Sequence, residues 1–215
     1  MSEFLAVTAF HSASTDHVVG AISKHLGAHG VASIFDGTAT KPNDRTDAQV
    51  YSPVNGWAVV VWPEYFNVHD FGLVRAIATS TGWLVSSVHV YDSQYWEHLC
   101  VVGKRELHIY NSRPSFWRID SPDDFVRISR YESDPQRLAT YVGVPVQEIS
   151  PYLVDANDLA DPNAQANPDD ECALGSFWVF TDFWRRIGIR YPDILKGMAG
   201  ILRLDANYAD KLPAE

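Results

Sequence analysis

Cysteine is nearly missing from this sequence: two residues, Cys100 and Cys172, in a chain of 215. Two cysteines cannot build a disulfide framework, and neither sits in a CxxC or other zinc-finger spacing, so both read as reduced thiols. No stretch approaches the roughly 18 consecutive apolar residues of a membrane span. The opening MSEFLAVTAF lacks a basic segment followed by a long apolar run, so it does not read as a signal peptide, and a cytoplasmic location is expected. Positive charge is scarce, with 17 Lys and Arg against 27 Asp and Glu, a formal net charge of -10. Such a field repels phosphate backbones and anionic lipid, which argues against nucleic-acid and membrane partners. A Gly-rich phosphate loop, a GxSxG elbow and an HExxH pair are all missing, so no cofactor, metal or catalytic class is expected from motifs.

What the chain does have is apolar and aromatic mass: 46% hydrophobic residues and 13% aromatic, including seven Trp. That excludes a disordered chain and supplies a substantial core. Phe4–Phe10 reads as a first strand. Ser14, Thr15 and Asp16 offer caps for a helix carrying Val18, Val19, Ile22 and Leu26, and Val31–Phe35 suggests a short strand returning beside the first. Ala48–Ser52 and Trp57–Trp62 form a hairpin through Asn55-Gly56. The second of these is apolar on both faces, the mark of a central strand. Phe71, Val74, Ile77 and Ala78 lie on one face of a second helix over Val68–Thr81. Trp83–Tyr91, Tyr95–Val102 and Arg105–Asn111 then make a three-stranded meander.

The expected fold is α+β: a twisted, mainly antiparallel sheet, a ferredoxin-like variant, with two helices on one face. Residues 1–112 make this sheet unit. Residues 113–215 form a helical extension packed on it, the whole being one compact unit. In the extension, Asp134-Pro135 caps a short helix ending at Gly143, and Val144–Leu153 gives another. Residues 155–173 form an acidic surface loop. Phe177–Ile187 is a helix, and Ile194, Leu195, Met198, Ile201 and Leu202 recur at helical spacing in a last one.

Chemistry-bearing residues gather in the meander: His89, Asp92, Glu97, His98 and His108. Alternation puts Trp96, His98 and Cys100 on one face and Tyr95, Glu97 and Leu99 on the other, with His108 sharing a face with Glu106 and Tyr110. A metal or acid–base site would need the imidazoles to converge with a carboxylate. The expectation is instead an ordinary polar, solvent-facing side of the sheet. Replacing both His98 and His108 by Ala should then leave folding nearly intact. His11, Ser12, Asp16 and His17 read as loop polarity and capping rather than a nucleophile with its base. Cys100 lies in an apolar strand and reads as buried and inert, and Cys172 follows three acidic residues that disfavour a thiolate. Asp155, Asp158 and Asp161 lack the spacing of a calcium loop. In the segment Phe177–Trp184, residues 177, 180, 184 and 187 mark a buried helix face. Trp178 falls off that face beside Arg185 and Arg186. Since Trp and Arg favour interaction hot spots, Trp178, Trp184, Arg185 and Arg186 are the candidate binding residues.

Three stretches, Tyr91-Asp92-Ser93-Gln94-Tyr95-Trp96 with its hairpin, Ile149-Ser150-Pro151-Tyr152-Leu153-Val154, and Asp182-Phe183-Trp184-Arg185-Arg186-Ile187-Gly188-Ile189, resemble a group of bacterial proteins of unknown function, chiefly from actinomycetes. The resemblance covers roughly the C-terminal two thirds of the chain and implies no activity or site residue. In size and acidity the chain is also similar to immunity proteins of toxin systems. Together these features lead to the expectation of a non-enzymatic binding protein, an immunity-type or regulatory partner of a basic protein. The alternative is an enzyme or small-molecule binder whose pocket, between sheet and C-terminal helices, uses His98, His108 and Glu97.

Overall fold

The computed structural model describes residues 4–12, 14–116, 134–193 and 196–213, with the Asn67 side chain left out. Eight strands form one sheet: β1 Leu5–His11, β2 Ser33–Asp36, β3 Asp47–Val54, β4 Trp57–Val61, β5 Leu84–Tyr91, β6 Tyr95–Val102, β7 Arg105–Asn111 and β8 Met198–Leu204. Their order is β2-β8-β3-β4-β1-β5-β6-β7, every neighbour antiparallel. This is the expected α+β architecture.

Local chemistry explains most of the elements. Helix α1, Thr15–Ala28, starts where Ser14 accepts the His17 N–H, and it buries Val18, Ile22 and Leu26. Helix α2, Asp70–Thr81, ends on Gly82, whose φ of 76° provides the left-handed cap. Asn55 and Gly56, at φ 54° and 82°, turn β3 into β4, and Asp92 and Ser93, at 50° and 55°, turn β5 into β6. Positive φ at both central residues matches the right-handed twist of the paired strands. Helix α3, Pro135–Val142, is capped by Asp134 and closed by Gly143 at φ 77°.

Both faces of the sheet are covered. Helices α1 and α2 pack on one face through Val18, Ile22, Leu26, Leu73, Val74 and Ile77. The other face is closed by α3, by the turns around Ile149 and Tyr152, and by α4, Val179–Arg186, with Phe180, Phe183 and Trp184 inward.

Three expectations are corrected. The last helix is the strand β8, inserted between β2 and β3; Ile194 and Leu195 of that expected helix lie outside the described residues, as do 117–133 of the polar stretch after Arg113. Leu202 and Leu204 point into the α1/α2 core, a period of two that the helical spacing concealed. Gly200 permits the insertion: a Cβ there would lie 2.6 Å from the Asp36 carbonyl and 2.7 Å from the Phe35 ring. β2 does not return beside β1 but pairs with β8 at the sheet's edge. The helix expected over Val144–Leu153 is two short 3₁₀ turns, Val146–Glu148 and Ser150–Tyr152, because Pro145 and Pro151 withhold the donors that a longer helix needs. A short helix α5, Tyr208–Lys211, follows β8.

Candidate functional site

The polar residues of the meander do not face water. His98 is fully buried, and His89, Glu97 and His108 are at most 7% exposed. The sheet separates them into two networks. The β6–β7 register explains how: Cys100 opposes His108, but Val101 opposes Glu106, so Leu107 is a bulged extra residue. The bulge returns Glu106 to the α2 side, where it accepts from Arg75 at 2.7 Å. Glu106 therefore does not share a face with His108.

Under α2, the Asp70 carboxylate is fully buried at the helix's first residue. Trp62 donates its indole N–H to Thr8 at 2.8 Å, Thr8 meets Ser87 at 2.8 Å, and Ser87 donates to Asp70 at 3.1 Å. The other Asp70 oxygen lies 3.3 Å from His89 Nδ1. His89 Nε2 pairs with Glu97, which also accepts from Asn111 at 2.5 Å. Phe71 stacks on the imidazole with ring centres 4.6 Å apart. Burial alone would strip the proton from His89; the carboxylates of Glu97 and Asp70 outweigh it and raise the pKa to about 10. Asp92 sits in the β5–β6 turn and makes no hydrogen bond or ion pair among the described residues.

On the opposite face, Trp184 donates to Ser86 Oγ at 3.0 Å, and that oxygen lies 2.9 Å from His98 Nε2. His98 Nδ1 lies 3.0 Å from His108 Nδ1. Each contact is satisfied if Ser86 donates to His98 and His98 donates to His108. Burial drives both imidazoles neutral, His98 to well below its usual range and His108 to about 3, where Asp134 partly opposes the shift. Cys100, beside them, is pushed up to about 12 by burial and is no nucleophile. Glu97 is thus parted from His98 and His108 by the sheet itself, and the three do not line one pocket.

The candidate binding residues have divergent surroundings. Trp184 is fully buried, and Trp178 is half-buried against Phe180 and Tyr191. Arg185 and Arg186 grip the acidic loop. Arg185 reaches Asp169 at 2.6 Å, Asp170 at 3.1 Å and Asp182 at 3.0 Å, and Arg186 reaches Asp169 at 2.5 Å and Asp170 at 2.7 Å. Tyr152 donates to Asp170 at 2.8 Å, and Asp182 accepts the backbone N–H groups of Glu171 and Cys172. Asp155 and Asp161 close turns onto Asn157 and Asn163 rather than converging.

A groove of about 450 Å³ does open between the sheet and the C-terminal segments, at the end of β1, β4, β5 and β6. Trp57, Trp83, Leu84, Val102, Tyr141 and Ile187 are among its walls, and its imidazole is His11, not His98 or His108. His11 meets the Trp57 ring edge-on at 5.0 Å. Asp16 and His17, at the α1 N-terminus, are exposed.

Sequence reasoning missed Asp70, Ser86, Ser87 and the groove. Asp70 falls in the i, i+3, i+4, i+7 stripe with Leu73, Val74 and Ile77, and a carboxylate on an apolar stripe is the legible sign of a buried partner. Ser86-Ser87 in an otherwise apolar strand is the matching sign across the sheet.

The fold and these sites define an α+β protein with one antiparallel sheet, a sealed polar network on each face and an open aromatic groove at one end. A scan against protein-family models, a search of curated proteins and a search of solved structures each find no match to the chain.

Proposed function

We propose that this chain is a non-enzymatic binding protein of a bacterial cytoplasm that presents a pre-formed acidic surface to a basic protein partner, as an immunity-type or regulatory protein does. One observation carries the reading: the acidic loop is clamped. Arg185 and Arg186 hold the exposed Asp169 and the buried Asp170 against α4. Asp158, Asp161 and Glu171 are left exposed on an ordered backbone. Fixed charges lose little conformational freedom on binding and steer an oppositely charged partner during encounter. The net charge of -10 acts in the same direction at long range.

The test is affinity capture from the source cell, comparing the wild type with the triple variant Asp158→Lys, Asp161→Lys, Glu171→Lys. A protein of high isoelectric point should be retained by the wild type, be lost from the variant, and weaken steeply between low and high salt. Capture that is indifferent to both the charge reversal and the salt would refute the reading.

A further inference from the structure

We infer that the groove at the end of the sheet is a binding site for a small, neutral, planar aromatic compound carrying a carbonyl-type hydrogen-bond acceptor. Trp57 is 94% buried, being 6% exposed, yet its indole N–H has no acceptor among the described residues. Two other buried indoles packed on the sheet do have acceptors, for Trp62 donates to Thr8 and Trp184 to Ser86, at 2.8 and 3.0 Å. Trp96 also has no acceptor among the described residues, but it borders a recess of only about 30 Å³, room for a water molecule and little more.

The Trp57 N–H edge lies on the Ile187 side of the groove and keeps some solvent exposure. Trp57 and Ile187 are both walls of it, and a Cβ built on the next residue, Gly188, would lie 3.9 Å from Nε1. Trp83, on another wall, has an indole N–H without an acceptor among the described residues as well. Neither nitrogen is sealed from solvent, so water serves as its acceptor at the groove until a ligand group replaces it.

The walls define the rest of the ligand. A volume of about 450 Å³ lies within the range of small-molecule sites. Trp57, Trp83 and Tyr141 line the groove together with Leu84, Val102, Val142 and Ile187. Flat rings fill such a slot by edge and offset contacts. Among the described residues no carboxylate lines the groove, so a cation finds no countercharge from them there, while the protein's net charge of -10 disfavours an anion. A neutral carbonyl compound satisfies all three conditions. This inference is independent of the acidic loop, which lies on other residues.

The experiment uses the whole chain, labelled with ¹⁵N, and follows the indole N–H resonances of its seven Trp during titration. The probes are 2-naphthamide, naphthalene (same plane, no acceptor) and cyclohexanecarboxamide (acceptor, no plane). 2-Naphthamide should shift the Trp57 resonance, identified by its loss in Trp57→Phe, with a Kd on the order of millimolar or tighter. Trp57→Phe should weaken 2-naphthamide about 5- to 10-fold and leave naphthalene unchanged. Tyr141→Ala, at a residue 45% exposed and so harmless to the fold, should weaken both. The inference fails if 2-naphthamide gives no saturating shift at Trp57, if Trp57→Phe binds it equally well, or if cyclohexanecarboxamide matches it. It fails equally if a proline-rich peptide saturates the same resonance at far lower concentration, which would make the groove a peptide site.

Discussion

His89 and the His98–His108 pair lie back to back across one layer of sheet, and burial leads them to opposite protonation states. Between Asp70 and Glu97, His89 keeps its proton up to about pH 10. The unfolded chain releases it near the ordinary 6.5, so the native state holds more protons between those values. The resulting stabilisation is complete below pH 6.5 and is lost as pH rises toward 10. His98 and His108 are held neutral, His108 down to about pH 3, so below 6.5 the unfolded chain binds the extra protons. Stability therefore falls on the acid side as well. Urea midpoints measured from pH 4 to 10 should be highest near pH 6.5–7, and His89→Phe should flatten the alkaline limb, an effect on the order of a few kcal/mol. An alkaline limb unchanged in that variant would remove His89 as its cause.

The same residues show what alternation could and could not reveal. It assigned Glu97 and His98 to opposite faces, as the register confirms. It erred in leaving one face to water. β6 carries Trp96 and Cys100 on one face and Leu99 and Val101 on the other, a doubly apolar pattern that requires cover on both sides. Hence His98→Ala with His108→Ala, harmless on a wet face, now should cost about 3–5 kcal/mol by opening a cavity and stranding Ser86. Thermal or urea denaturation measures it directly.

At the scale of elements, legibility tracked how local each signal was. The hairpin at Asn55-Gly56, the Ser14 and Asp134 caps and the Gly82 and Gly143 stops depend on a few adjacent residues, and all form where the sequence puts them. The acidic loop depends instead on partners that arrive from α4. Its composition suggested a solvated segment, yet Asp170 is 5% exposed, held by Tyr152, Arg185 and Arg186. Arg186→Leu should therefore leave a buried carboxylate short of its countercharge, destabilising the protein by about 3–5 kcal/mol. Adding Asp170→Asn should recover part of that loss, since the remaining charge is then removed. Hydrogen exchange over residues 155–171 distinguishes this from a global effect: the single variant should release the loop's amides well before those of β1 and β5.

For the whole molecule, the governing fact is that a late strand completes an early sheet. β8 lies between β2 and β3, pairing Leu204 with Ser33 and Leu202 with both Phe35 and Ala48. No local pattern announces such a contact. Ile201 and Leu202 suit a helix stripe as well as a strand, and only Gly200 hints at a close neighbouring backbone. The consequence is energetic as well as topological. Without β8, β2 has no partner in the sheet and β3 becomes a bare edge, while Leu202, Leu204, Tyr208 and Leu212 leave the α1/α2 core. Long-range closure of this kind also slows folding, because the chain must be ordered over most of its length before β8 can pair. A chain ending at residue 193 should therefore lose its cooperative urea transition and expose apolar surface to dye binding. A synthetic peptide of residues 196–213, added in excess, should restore the transition by occupying the slot between β2 and β3, with its midpoint rising as peptide concentration rises. A cooperative transition in the shortened chain alone, with the amides of Ser33–Asp36 still protected from exchange, would mean that the sheet closes without β8.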